Sequence, residues 1–454
     1  MIMKKTMKKL LSMTLTAAVV ASLAGCGGKA SSESSSAADS AAASDTSKEA
    51  GAENGGENVV KVGVIYPTSG NVAKIGQESL EAIKLAADII NNKYDDLNIP
   101  FAADEGLPAL GGAKIELVIS DSQGSPEVGL SEAERLITEE GVDVLLGAYH
   151  SSVTKTASNV AEKYGVPFIN PDSTSVTLTD RGYEWFFRTT PNDSTFVADT
   201  LKFLQDVRDK QGKDIKTVSM IHEDSEWGAM LRQQFEEQIG DYGFDILEDI
   251  SYSSSATDLS AEVMKLKAAN ADVLLCGSYT ADTILLFKTM KEQGWAPKLL
   301  VGQRSGFTAP ETVKTIGVEN VEGIISTNLY AADLGESNPT IGTINSMFKD
   351  ITGENLNDAY SRSFVGLCVI AEAVNTAGST DPEKIRDALV NMDITNEGQL
   401  IVPWDGIKFD ENGQNIRANS ILTQMHDGVF YTIYPEKEAA KELDYPFSAW
   451  GSNK

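Results

Sequence analysis

Val59-Val60-Lys61-Val62-Gly63-Val64-Ile65-Tyr66-Pro67-Thr68-Ser69-Gly70 opens the globular part of this sequence, and its reading decides the fold. The first eight residues are rich in β-branched side chains and predict a strand; Pro, Ser and Gly then mark a turn. Behind the turn, Leu80, Ile83, Ala87 and Ile90 recur at helical spacing, which predicts a helix over 77–91. Strand, turn and helix in this order begin an α/β domain with a parallel sheet.

The pattern continues outward. Strands are expected at 114–120, 142–149 and 166–170, with helices at 126–140 and 152–164 between them. The run at 142–149 is almost wholly apolar, as in a strand covered on both faces. Strand-helix alternation in this order gives right-handed crossovers. The segment 93–112 reads as a loop that caps a helix end. The alternation then restarts: strands at 215–222, 244–252, 272–279 and 298–302, and helices at 227–242, 259–269 and 281–293. Beyond lie an extended run at 321–330, helices at 338–351, 360–376 and 382–392, and a β-rich end at 401–410, 417–426 and 429–434. The fold class is therefore α/β, with two doubly wound parallel-sheet lobes joined by a hinge that the chain crosses several times. The lobes are assigned as 59–192 plus 328–400 and 193–327 plus 401–454, with crossings near 190–193, 327–330 and 399–403.

The residues ahead of Val59 carry targeting signals. Lys4, Lys5, Lys8 and Lys9 precede an apolar stretch at 10–23, and Leu23-Ala24-Gly25-Cys26 follows. A basic start, a short apolar run and small residues before a cut mark a secretory signal, assigned to 1–25. The stretch falls short of the roughly 20 residues that span a membrane. The Cys after Leu-Ala-Gly is similar to a bacterial lipobox, which implies that Cys26 becomes a lipidated N-terminus. Residues 26–58, rich in Ser, Ala, Gly and Glu, lack the apolar content to fold and read as a tether. A tether of this length points to a Gram-positive surface.

Asp and Glu number 66 against 38 Lys and Arg, for a formal net charge of −28. This excess argues against nucleic acid or anionic lipid as partners. Cys276 and Cys368 fall inside apolar patterns and read as buried free thiols, so stability is expected to come from packing. Enzyme signatures are missing. His150, His222 and His426 are far apart in sequence, and no Gly-x-Ser-x-Gly, P-loop or Gly-x-Gly-x-x-Gly occurs. His150 beside Ser151 does not make a nucleophile-base pair, because neighbours at a strand end point different ways.

In open α/β sheets, ligands bind beyond the carboxyl ends of the strands. The loops there hold Ser69, then His150-Ser151-Ser152, then Pro171-Asp172-Ser173-Thr174-Ser175. Ser151 at a helix start offers a hydroxyl beside unpaired backbone N–H groups, an arrangement that suits a carboxylate. It also fits a plain N-cap, and the residues alone leave both readings open.

Taken in order, these loops and their spacing resemble the branched-chain amino acid (Leu/Ile/Val) binding proteins. The matching stretches are Val62-Gly63-Val64-Ile65 with Ser69-Gly70 and Gly76, and Ile119-Ser120-Asp121 with Pro126. They continue with Gly147, Ser151-Ser152 and Thr154, with Val166-Pro167, Pro171, Thr174 and Leu178-Thr179, and with Phe187-Arg188-Thr189 and Pro191. Ala256-Thr257-Asp258 and Asp381-Pro382 with Ala388-Leu389 follow. The resemblance implies a type I periplasmic binding protein fold and a role in ATP-driven import. Such a protein captures an amino acid or related small carboxylate and delivers it to permease and ATPase subunits; it acts as a monomer, without cofactor or metal, held at the membrane only by its lipid. A sensor of the same fold, signalling through a partner, is the alternative.

The resemblance also implies site roles. Ser151 would hold the ligand carboxylate, and Thr174 with Asp172 and Ser173 its polar end. Tyr149 and His150 would line the side-chain pocket, Ile75 would stand at a lid position, and Tyr279 and Trp227 would contribute from the second lobe. After the strand at 298–302, amino acid binders carry an acidic residue; this chain has Gln303-Arg304-Ser305. Arg304, turned into the cleft, would favour a second carboxylate or a ligand without an ammonium group.

Overall fold

The computed structural model describes residues 59–447 and Trp450. The signal segment, Cys26 and the tether lie outside the described residues. The described residues form one compact unit.

The first lobe is built on β1 (Val59–Tyr66), α1 (Ala73–Asn91), β2 (Lys114–Asp121), α2 (Pro126–Thr138), β3 (Val144–Gly147), α3 (Ser151–Tyr164), β4 (Phe168–Asn170) and β5 (Phe186–Arg188). Its five strands lie in the order β2-β1-β3-β4-β5, and every pairing is parallel. The second lobe comprises α4 (Asp193–Asp209), β6 (Thr217–Glu223), α5 (Glu226–Gln238), β7 (Asp245–Tyr252), α6 (Ser260–Ala269), β8 (Val273–Gly277), α7 (Thr280–Glu292), β9 (Leu299–Gln303), α8 (Pro310–Ile316), α9 (Val318–Val321) and β10 (Ile325–Asn328). The chain continues through α10 (Leu334–Ser337), α11 (Pro339–Thr352), α12 (Asp358–Ala377) and α13 (Pro382–Val390). It ends with β11 (Asp393–Thr395), β12 (Gly406–Lys408), β13 (Ile421–His426) and β14 (Val429–Tyr434). The second sheet runs β14-β13-β10-β9-β8-β6-β7, with every pairing parallel except those of β13, which is antiparallel to both β10 and β14.

Helices cover both faces of the first sheet, α1 and α12 on one side and α2 and α3 on the other. That explains why β1 is buried at six of its eight positions rather than at alternate ones. Gly76 lets α1 start close to β1: a Cβ there would lie 1.9 Å from the Pro67 carbonyl oxygen. Strand β1 and the pair β13–β14 fall close to where the sequence puts them. Among the elements that escape that reading are β5, the 17-residue helix α4, the short helices α8 to α10 and strand β11. Strand β5 has only three residues, too few for a period to show. The strand expected at 401–410 shrinks to β12. Its surroundings turn back to the first lobe, where Arg188 N donates to Gly413 O at 2.7 Å and Asn415 N to Arg188 O at 2.9 Å. Cys276 and Cys368 are buried and free.

Candidate functional site

The carboxyl ends of both sheets face one small, partly open cavity. Its wall consists of Tyr149, Ser151, Asp172, Ser173, Thr174, Trp227, Tyr279, Arg304, Ser305 and Arg362. Eight of these ten were named from sequence. They come from the β3–α3 and β4–β5 loops of one lobe and from α5, the β8–α7 junction and the β9–α8 loop of the other.

Ser151 is the first residue of α3, so its backbone N–H has no partner within the helix. The N-cap position belongs to His150, whose side chain makes no capping bond, and the Ser151 hydroxyl accepts from Ser175 N at 3.4 Å. Ser173 donates to the Ala148 carbonyl at 2.8 Å and lies 2.7 Å from the Thr154 hydroxyl, which ties the β4 loop to the start of α3. Across the cleft, Arg304 is 3 % exposed and held at φ +56°. Its Nη2 donates to the Thr174 hydroxyl at 3.1 Å and lies 3.4 Å from Asp193 Oδ1; its guanidinium stacks 3.4 Å from the Phe196 ring centre. Trp227 donates to the same Asp193 oxygen at 3.3 Å, and its ring lies 5.0 Å from that of Tyr279. The Tyr149 hydroxyl meets Ser305 Oγ at 3.1 Å.

Arg362 reaches the wall from the first turns of α12. It bonds Asp358 at 2.7 Å and the Asp172 carbonyl at 2.8 Å, and its Nη2 lies 3.5 Å from Asp172 Oδ1. Asp172 also accepts from the Tyr66 hydroxyl. Burial pushes the Asp172 carboxyl up to about 6, with Arg362 and the Tyr66 bond opposing. Burial likewise raises Asp193 and lowers Arg304, each partly offset by the other's charge. Tyr149 is pushed up to about 12 by burial. The wall thus combines two guanidinium groups, hydroxyls and a helix N-terminus with three aromatic rings. Such a surface can grip a carboxylate and pack a small flat or branched body.

Three expected residues lie elsewhere. Ser69 is exposed, with its amide and hydroxyl bound to Asp121 at 3.3 and 2.7 Å. Ile75 is buried in the first-lobe core, because α1 turns that face toward the sheet. His150 packs behind the wall, its ring 5.5 Å from Tyr149 and 4.9 Å from Tyr279. Conversely, the sequence assigns no site role to Ser305, Arg362 or the supporting Asp193. A signal for Arg362 existed: Asn357-Asp358 and Arg362 stand just ahead of the long apolar run of a buried helix. Among the described residues, no group of His, Cys, Asp and Glu could hold a metal ion, and no helix is long and apolar enough to cross a membrane.

Residues 59–428 match the sequence profile of the periplasmic binding proteins. The chain belongs to that family. Membership gives it a solute-binding role outside the cytoplasm. It is 31% identical over 392 residues to the Leu/Ile/Val-binding protein homolog 7 of Brucella abortus (strain 2308), covering 85% of this chain and 94% of that one. Solved structures share the fold. A leucine-binding protein, LivK, from Thermotoga maritima superposes with a TM-score of 0.70 at 22% identity, over 84% of this chain and 100% of its own. LivJ from Streptococcus pneumoniae, a branched-chain amino acid transporter substrate-binding protein in complex with isoleucine, gives 0.69 at 21%, over 86% and 100%.

Proposed function

We propose that this protein is a lipid-anchored solute receptor of an ATP-driven importer, and that it captures an amino acid or related small carboxylate by closing two lobes over it. The observation that carries this reading is the meeting of Ser151 at the α3 N-terminus, Thr174 and Arg304 around one cavity between the lobes. Ser151 and Thr174 would receive the solute first, and Tyr279, Trp227 and Arg304 would then close on it. Solute drives closure only by binding the closed form more tightly than the open one. The relatives' Leu/Ile/Val-binding names support an amino acid. Arg304 in the wall favours a carboxylate on the second-lobe side. We place the third crossing between Asn415 and Ser420, downstream of the expected 399–403, because Gln414 and Asn415 bond to the strand end of the first lobe. Cys26 would carry the lipid, and the closed form would dock on the permease.

A thermal-shift screen of the protein against amino acids, dicarboxylates, aromatic acids and small amides tests the reading. A solute at 100 times its Kd adds about 2.7 kcal/mol to apparent stability, enough to raise the transition by several degrees. At least one carboxylate should do so. A folded protein that no carboxylate shifts would sink the proposal.

A further inference from the structure

Side chains also bridge the two lobes outside the cavity, and one residue dominates there. Glu226 opens α5 on the second lobe, beside the wall residue Trp227, and both its oxygens face the first lobe. Oε1 accepts from the Thr177 hydroxyl at 2.7 Å, and Oε2 pairs with Lys155 Nζ at 2.9 Å. Lys155 lies one helical turn beyond Ser151 on α3, and Thr177 lies three residues beyond Thr174. Glu226 therefore grips the same two first-lobe segments that face the cavity, without lining the cavity itself. Its side chain is 19 % exposed against 45 % for Lys155, so the carboxylate is the sheltered member of the pair. Burial works against its charge, but the Thr177 and Lys155 donors outweigh it and hold the carboxyl below its ordinary range. The helix dipole at the start of α5 favours the same ionised form.

A second bridge, from Lys314 on α8 to Glu354 at the α11–α12 turn, is of the ordinary kind. Its carboxylate is as sheltered as that of Glu226, at 19 % exposed, but its lysine is 59 % exposed and, among the described residues, the pair has no second donor to match Thr177, so it contributes little.

We infer that Glu226, through Thr177 and Lys155, is the latch that holds the lobes shut, and that it populates the closed form before any solute arrives. The inference rests on the two-lobe capture reading. It makes Glu226 a positioning residue: it sets the open-closed balance and hence the apparent affinity for every solute alike.

The test uses protein stripped of solute by unfolding and refolding. Small-angle scattering and amide exchange are compared for wild type, Glu226→Ala, the isosteric Glu226→Gln and the control Lys314→Met. Glu226→Ala should enlarge the radius of gyration and speed exchange at 151–155 and 175–179 about tenfold. Glu226→Gln, which keeps the fold and one hydrogen bond, should show a smaller change in the same direction. Lys314→Met should match wild type. Half-molar salt should move wild type toward Glu226→Ala, because the ionic half of the latch is screened. Scattering and exchange of both folded Glu226 variants indistinguishable from wild type would overturn the inference, as would an equal effect from Lys314→Met. The solute screen on wild type decides the capture reading separately.

Discussion

Arg304 of the second lobe donates to the hydroxyl of Thr174 on the first at 3.1 Å, while Asp193 lies 3.4 Å from the same nitrogen. The contact joins the lobes through a cation that is itself buried and balanced. Removing one partner of a buried pair leaves the other charge exposed to a low dielectric, at about 3–5 kcal/mol. Arg304→Ala should therefore lower the urea-derived unfolding free energy by that amount and abolish solute binding. The double variant Arg304→Gln, Asp193→Asn should recover most of the stability but not the binding. Equal stability of Arg304→Ala and wild type would contradict the pairing.

Ser151 separates binding from stability. Ser151 lines the cavity, and its hydroxyl does not cap α3. Ser151→Ala should weaken carboxylate binding about 10- to 100-fold, the range for a hydrogen bond to a charged group, and cost no more than about 1 kcal/mol of stability, because the hydroxyl's bond from Ser175 N is long at 3.4 Å. Titration calorimetry of the best solute from the screen checks this. A variant that binds as wild type places the carboxylate elsewhere.

His150 gives a pH signature. Burial lowers its imidazole from 6.5 to about 4 in the folded protein. The unfolded chain thus binds a proton that the native one refuses, so the stability from a neutral His150 is present above pH 6.5 and lost as pH falls toward 4. The loss is about 3 kcal/mol in full. Buried Asp172, raised to about 6, contributes with the opposite sign over an overlapping window, so comparison of variants isolates each. His150→Phe, which keeps the aromatic packing, should gain on wild type in urea-derived stability, by up to about 3 kcal/mol, as pH falls from 6.5 to 4. No gain over wild type in that window would disprove the assignment.

Gly306 holds the turn that carries Arg304 and Ser305. A Cβ there would lie 2.1 Å from Thr283 Oγ1 and 2.4 Å from the Tyr279 carbonyl oxygen, so the turn would have to move. Gly306→Ala should cost about 1–3 kcal/mol of stability and weaken solute binding more than tenfold. Chemical denaturation and calorimetry measure the two effects. Unchanged affinity would mean that the turn does not position the wall.

The sequence by itself determined the order of strands and helices, because apolar periodicity is a local property of consecutive residues. Strand β1 and its turn, the start of α3 and the loop from Asp172 to Thr174 were legible for that reason, and so was the rule that ligands sit beyond strand ends. Short β5 carried no period, and α4 was not read although Asn192 caps it. Only the tertiary structure decided which side chains converge. Arg362 reaches Asp172 across 190 positions of chain, and Arg304 reaches Thr174 across 130. Neither spacing leaves a local trace. Ser69 and Ile75 occupy the right loop and helix by sequence but turn to Asp121 and to the core. A loop's position is written in the chain, whereas the direction of its side chains follows from hydrogen-bond partners and packing that folding brings from elsewhere.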